Sequence, residues 1–98
     1  SLAVESGGKA VTLTPAFSAG VTSYTIPAGT TAATVEAIAE NTSLTVVVSC
    51  NGESYVVNAA TNNRTNQFSN LKSGDYITVT VTNGASSGMT NTYKIKVS

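Results

Sequence analysis

Histidine and tryptophan are absent, cysteine occurs once, proline twice, and only ten of 98 side chains are charged. Each shortage removes a class of function. Without histidine, the side chain that most readily takes and gives a proton near neutral pH is missing, and so is the commonest metal ligand. With a single cysteine, Cys50, no intrachain disulfide can form. No histidine and no predicted helix stand beside it to depress its pKa, so it reads as a small buried hydrophobe rather than a reactive thiol. Five basic and five acidic residues cancel, which leaves no electrostatic footprint for nucleic acid or for an anionic membrane. No apolar run is long enough to cross a bilayer as a helix. Ser1 leads directly into strand-like sequence, so no secretory leader is read at the start.

What the chain does contain is threonine, serine, asparagine, glycine, alanine and valine, a composition that suits an all-β extracellular module. Its length is that of one domain, residues 1–98, with a modest core that needs neither disulfide nor metal. The most informative stretch is Leu13 to Pro27. Pro15 lacks an amide hydrogen and cannot sit in a central strand, so it marks a strand end and a bend. Phe17 is a large apolar residue in a small polar loop and is expected to plug back into the core. Tyr24 and Ile26, two apart, give the period of a strand with one buried face.

The remaining strands follow from alternation and turn residues. Leu2 and Val4 make a short first strand that Gly7-Gly8 breaks; Val11 and Leu13 make a second, or a continuation on the other sheet. Ala33 to Glu40 reads as a strand rather than a helix, with Val35, Ala37 and Ala39 inward and Ile38 outward beside Glu36 and Glu40. Asn51-Gly52 is the strongest turn signal: a two-residue type I′ loop requires positive φ at both positions. It sets Cys50 opposite Glu53, Val48 opposite Tyr55 and Val46 opposite Val57, so that the apolar members share one face. Ala59 to Asn70 shows no period and is read as a long loop or weak edge strand, with Phe68 and Leu71 tucked inward. Asp75 to Thr82 alternates cleanly, with Ile77, Val79 and Val81 inward and Tyr76 outward. A polar loop over Asn83 to Asn91 precedes a last strand with Tyr93, Ile95 and Val97 inward. Lys94 and Lys96 alternate on its other face, a pattern that would protect a sheet edge. About seven or eight short strands with frequent turns predict an antiparallel two-sheet β-sandwich.

Several of these segments together resemble a known family. Leu13-Thr14-Pro15-Ala16-Phe17-Ser18 precedes Val21-Thr22-Ser23-Tyr24-Thr25-Ile26. An alternating strand ends in Ala39-Glu40-Asn41, Ser73-Gly74-Asp75-Tyr76-Ile77-Thr78-Val79-Thr80-Val81 follows, and Tyr93-Lys94-Ile95-Lys96-Val97 closes the chain. This order is similar to that of the bacterial cadherin-like β-sandwich domains, over nearly the whole length; only the Asn/Thr-rich middle is longer. The resemblance implies an Ig-like module of a secreted or surface-attached bacterial protein, excised from a longer multidomain chain. Its expected partners are neighbouring domains of that chain and a host or cell-surface protein or glycan, with no nucleic acid and no membrane insertion.

Candidate sites are few. Calcium needs six to eight oxygens, several from clustered carboxylates, but Glu5, Glu36, Glu40, Glu53 and Asp75 are scattered, so no metal and no cofactor is expected. A glycan site wants an exposed ring with amides around it. Only Tyr76 falls on an outward face, and Asn62, Asn63 and Arg64 could supply polar contacts; these four are the candidate ligand-binding residues. A Lys–Asn isopeptide bond would need Lys9, Asn91 and Glu36 buried together, against the outward reading of Glu36. Asn41-Thr42-Ser43 and Asn63-Arg64-Thr65 match glycosylation acceptors by chance. With no histidine and no paired carboxylates, nothing activates a serine or threonine, and no catalytic residue is assigned. The sequence therefore points to a non-catalytic spacer or adhesion module. The alternatives are a carbohydrate-binding accessory module and an Ig-like decoration domain of a phage virion.

Overall fold

In the computed structural model, which describes residues 2–18, 20–38, 44–83 and 90–98, eight strands form two facing sheets. In chain order they are β1 (Leu2–Ser6), β2 (Lys9–Val11), β3 (Ser23–Ile26), β4 (Thr34–Ala37), β5 (Leu44–Cys50), β6 (Glu53–Val57), β7 (Tyr76–Asn83) and β8 (Thr90–Val97). The smaller sheet runs β2-β1-β4 and the larger β3-β8-β7-β5-β6. The fold is the all-β, Ig-like two-sheet sandwich that the alternation predicts. Predicted features at Ala39, Glu40 and the Asn41-Thr42-Ser43 acceptor, and positions 84–89 of the polar loop, lie outside the described residues.

The core is built by period two. Leu2, Val4, Val35 and Ala37 point inward from the small sheet; Tyr24, Ile26, Val46, Val48, Ile77, Val79, Ile95 and Val97 meet them from the large one. Burial of this apolar area is the main term favouring folding. The Asn51-Gly52 turn has φ of 50° and 84°, and the register follows as read: Cys50↔Glu53, Val48↔Tyr55, Val46↔Val57. A second hairpin joins β1 to β2 through Gly7-Gly8, with φ of 59° and 79° and Ser6 opposite Lys9. Side-chain-bearing residues rarely adopt such angles, so both turns depend on their Asn or Gly residues.

Two pairings go beyond the alternation. β3 runs parallel to β8, from Ser23↔Lys94 to Ile26↔Val97; every other strand pair is antiparallel. Consequently β8 is an inner strand, and its lysines do not guard an edge: Lys94 and Lys96 point to solvent from the outer face while both backbone sides are paired. Beyond β2 the chain changes sheets. Thr14 donates to Thr25 O (3.0 Å) and accepts from Thr25 N (2.8 Å), so the segment leaving the small sheet borders β3 of the large one. Val11 and Leu13 pack against the core along this crossing.

The Asn/Thr-rich stretch is an irregular edge of the small sheet. Its first turn is a single 3-10 turn, Ala59–Thr61, held by Asn58, whose Oδ1 accepts the Ala60 amide at 2.9 Å. Asn62, Asn63 and Asn70 take left-handed φ of 55°, 58° and 59°, which asparagine tolerates better than most residues. The chain then lines β4: Ala37 N donates to Asn63 O, Thr65 N to Val35 O, and Ala33 and Phe68 exchange both bonds. Between these pairings the register shifts by one, and Val35 N donates to Thr65 Oγ1 (3.0 Å) in place of a backbone carbonyl. That bond explains why Thr65 is buried. Phe68 and Leu71 are buried as expected, and the Phe68 ring meets Tyr55 of β6 with centroids 5.3 Å apart, closing that side of the sandwich.

Since Phe68 belongs to the core despite lying outside any strand, Phe68→Ala is expected to cost about 3–5 kcal/mol. Val56→Thr, on the outer face of β6, should change stability by less than about 0.5 kcal/mol. Urea denaturation of the two variants beside the parent chain measures the difference.

Candidate functional site

The four residues singled out from sequence are not brought together. Tyr76 opens β7 and is half exposed on the outer face of the large sheet. Lys94 Nζ lies 6.0 Å from its ring centroid, within the range of a cation–π contact. Asn62, Asn63 and Arg64 sit in the turn that borders the small sheet, at the end where Asn63 O receives Ala37 N. The two groups thus occupy outer faces that point in opposite directions. Arg64 is already engaged: Nε donates to Glu36 Oε2 at 3.1 Å and an Nη reaches Glu5 Oε1 at 3.4 Å. The guanidinium therefore clamps the irregular edge across β4 to β1, an exposed network of small energetic weight.

Carboxylates that are remote in sequence come closer in space. Glu5 and Glu36 flank Arg64, and Glu53 and Asp75 both act on Cys50. Among the described residues, no three of Cys, Asp or Glu are grouped so as to hold a metal ion. The isopeptide trio does not converge either. Lys9 is exposed on β2, Asn91 is exposed on β8 in the other sheet, and Glu36 is bound to Arg64.

Phe17 departs from the expectation of a core plug: it is 37% exposed. Tyr24 is buried as expected, and its hydroxyl accepts Ser18 N (3.1 Å) and faces the carbonyls of Ser18 (2.9 Å) and Val21 (2.8 Å). Those bonds hold Ser18 and Val21 to the tip of the ring. Phe17 lies beside it, nearly parallel to Tyr24 at 6.0 Å and tilted against Tyr93 at 6.4 Å. The Phe17 ring thus meets both tyrosine rings and stays partly exposed. Its sequence signal was the oddity of a phenylalanine in a polar loop, which gives no direction for the ring.

Two groups at the opposite end have shifted protonation. Burial pushes the Cys50 thiol up, with the charges of Asp75 and Glu53 adding to it; the buried thiol is correspondingly a poor nucleophile. Asp75 is held below the usual carboxylate range by hydrogen bonds to its ionised form, from Asn51 Nδ2 and from the Lys72 amide, each 3.0 Å. It ties the β5–β6 turn to the turn before β7.

A family model described as a cadherin-like beta sandwich domain matches residues 8–98. No curated protein matches the chain.

Asp75 makes a pH-dependent contribution whose sign is fixed. Its folded-state pKa lies below the unfolded one, so the stabilisation is complete above the unfolded value and is lost as pH falls through the folded value. The stability gap between the parent chain and Asp75→Asn is expected to be constant above about pH 5 and to shrink below about pH 4. Urea denaturation across that range tests it; a gap unchanged at low pH would assign the acid sensitivity to other groups.

Proposed function

The chain belongs to the cadherin-like β-sandwich family, and from that premise we propose that it is a non-catalytic spacer or adhesion module of a bacterial secreted or cell-surface protein. The observation that carries the spacer role is where the first and last strands lie. Leu2 of β1 pairs with Ala37, at the end of β4 that leads towards β5. β8 starts at that same end, with Thr90 opposite Thr82, and runs in the same direction as β1, so that Val97 finishes beside Ile26 and Asp75, near the Asn51–Asp75 contact. β1 thus begins at one end of the sandwich and β8 finishes at the other. Five strands side by side have four spacings and span about 19 Å, so the longest of the three extents, 39 × 27 × 23 Å, lies along the strands. A module entered and left at opposite ends of its long axis stacks with its neighbours into a rod. Placement outside the cell is supported by the family resemblance and by a composition with few charges.

Two copies joined in tandem are expected to give a small-angle scattering profile of an elongated particle. Its maximum dimension should be about twice the 39 Å of one module. A compact, side-by-side particle would oppose the spacer reading.

The partial exposure of Phe17 favours a second reading, a glycan contact at Phe17, where the apolar face of a sugar would lie against the ring. On a glycan array, binding that Phe17→Ala abolishes and Tyr76→Ala leaves intact would support this reading. Absence of any retained glycan would leave the spacer role alone.

A further inference from the structure

We propose that the module bears tension along its long axis, with load entering through β1 and leaving through β8; the inference deepens the spacer reading and rests on it. The first and last strands are both interior to their sheets. β1 lies between β2 and β4, and β8 lies between β3 and β7. Neither can peel away as an edge strand. The edges are β2, β6, β3 and the irregular 63–68 segment, none of which is the first or the last element of the chain.

Direction decides how the ladders respond. Drawing Leu2 and Ser98 apart slides β1 along its own axis past β2 and β4, and β8 past β3 and β7. Interstrand hydrogen bonds lie across the strands, so this motion strains the bonds of a ladder together rather than one after another. The β8 ladder is closed at both ends: Lys94 N donates to Thr22 O at 2.8 Å and Ser98 N to Ile26 O at 3.0 Å on the β3 side. On the β7 side Val97 N donates to Asp75 O at 2.9 Å, and Gly74 N to Val97 O at 2.7 Å. β1 is held from Leu2↔Ala37 to Glu5↔Thr34 on one flank and from Val4↔Val11 to Ser6↔Lys9 on the other.

Load must also pass from one sheet to the other, and the crossing after β2 supplies the route. β2 is the neighbour of β1, and its continuation reaches Thr14, which exchanges two backbone bonds with Thr25 of β3. β3 is in turn the parallel neighbour of β8. A hydrogen-bonded path therefore runs from β1 through β2, Thr14 and β3 to β8, beside the covalent one. The Thr25 hydroxyl adds to this crossing, donating to Thr14 O at 3.4 Å.

The same β3–β8 ladder can be loaded in two directions in one protein. Force spectroscopy with one handle ahead of Leu2 and one at Ser98 shears it. Handles at Ser98 and at Ala28→Cys pull apart two positions at the same end of the sandwich and open the ladder like a zipper. Residue 28 is exposed, and buried Cys50 does not compete for the handle. Rupture in the second geometry is expected at about half the force of the first or less, since forced unfolding is set by the barrier along the pulled direction. Equal forces in the two geometries would overturn the load-bearing claim while an elongated tandem particle kept the spacer reading. Direction dependence in a chain whose tandem copies pack side by side would remove the spacer reading and, with it, the load-bearing role.

Discussion

The register of β5 against β6 is the constraint on which the large sheet depends. Side chains alternate between faces with a period of two, so a slip of β6 by one residue would turn Val57 outward and bring Val56 in beside the inward Val46 and Val48 of β5. The Asn51-Gly52 turn prevents this, because both residues hold left-handed angles that few other pairs adopt. β7 then pairs with β5 so that Val79 lies opposite Val48, and β8 brings Ile95 opposite Ile77. Asp75 reinforces the arrangement by linking Asn51 to the turn that launches β7. The inner face of the larger sheet is thus specified from one loop outward.

Much of the fold was legible because alternation is a local signal. The strands, the hairpin register, the burial of Phe68 and Leu71 and the outward position of Tyr76 all follow from residue type and spacing. What was not legible depends on partners far along the chain. The lysines of β8 alternate in the same way whether the strand is an edge or an inner one; only the parallel pairing with β3 decides it. The asparagines at 62, 63 and 70 look like a loss of pattern, yet they supply left-handed turns that let an irregular segment follow β4. Thr65 replaces a backbone acceptor with its hydroxyl, a substitution that no periodicity announces.

The candidate surface was less legible than the fold. Arg64 reads as a candidate ligand contact from sequence, because Glu5 and Glu36 are 59 and 28 positions away; the topology of the small sheet puts it between them. Phe17 reads as a core residue, because an isolated ring in a polar loop is normally drawn inside. The Tyr24 hydroxyl holds the carbonyls of Ser18 and Val21, and Phe17 packs beside the tyrosine ring while staying partly exposed.

The pairing of β3 with β8 also governs the order in which the sandwich can be made. Residues 23–26 must wait for residues 94–97 before their ladder closes, so the large sheet is assembled across nearly the whole length of the chain. Contacts of such separation in sequence carry a loop-closure cost before they return any stability, and proteins dominated by them fold slowly. During synthesis, β7 and β3 present unpaired backbone until the last strand emerges, a state in which strands can join the wrong neighbour. Where several such modules follow one another, the last strand of each is the step that separates a finished unit from one still open to its neighbours.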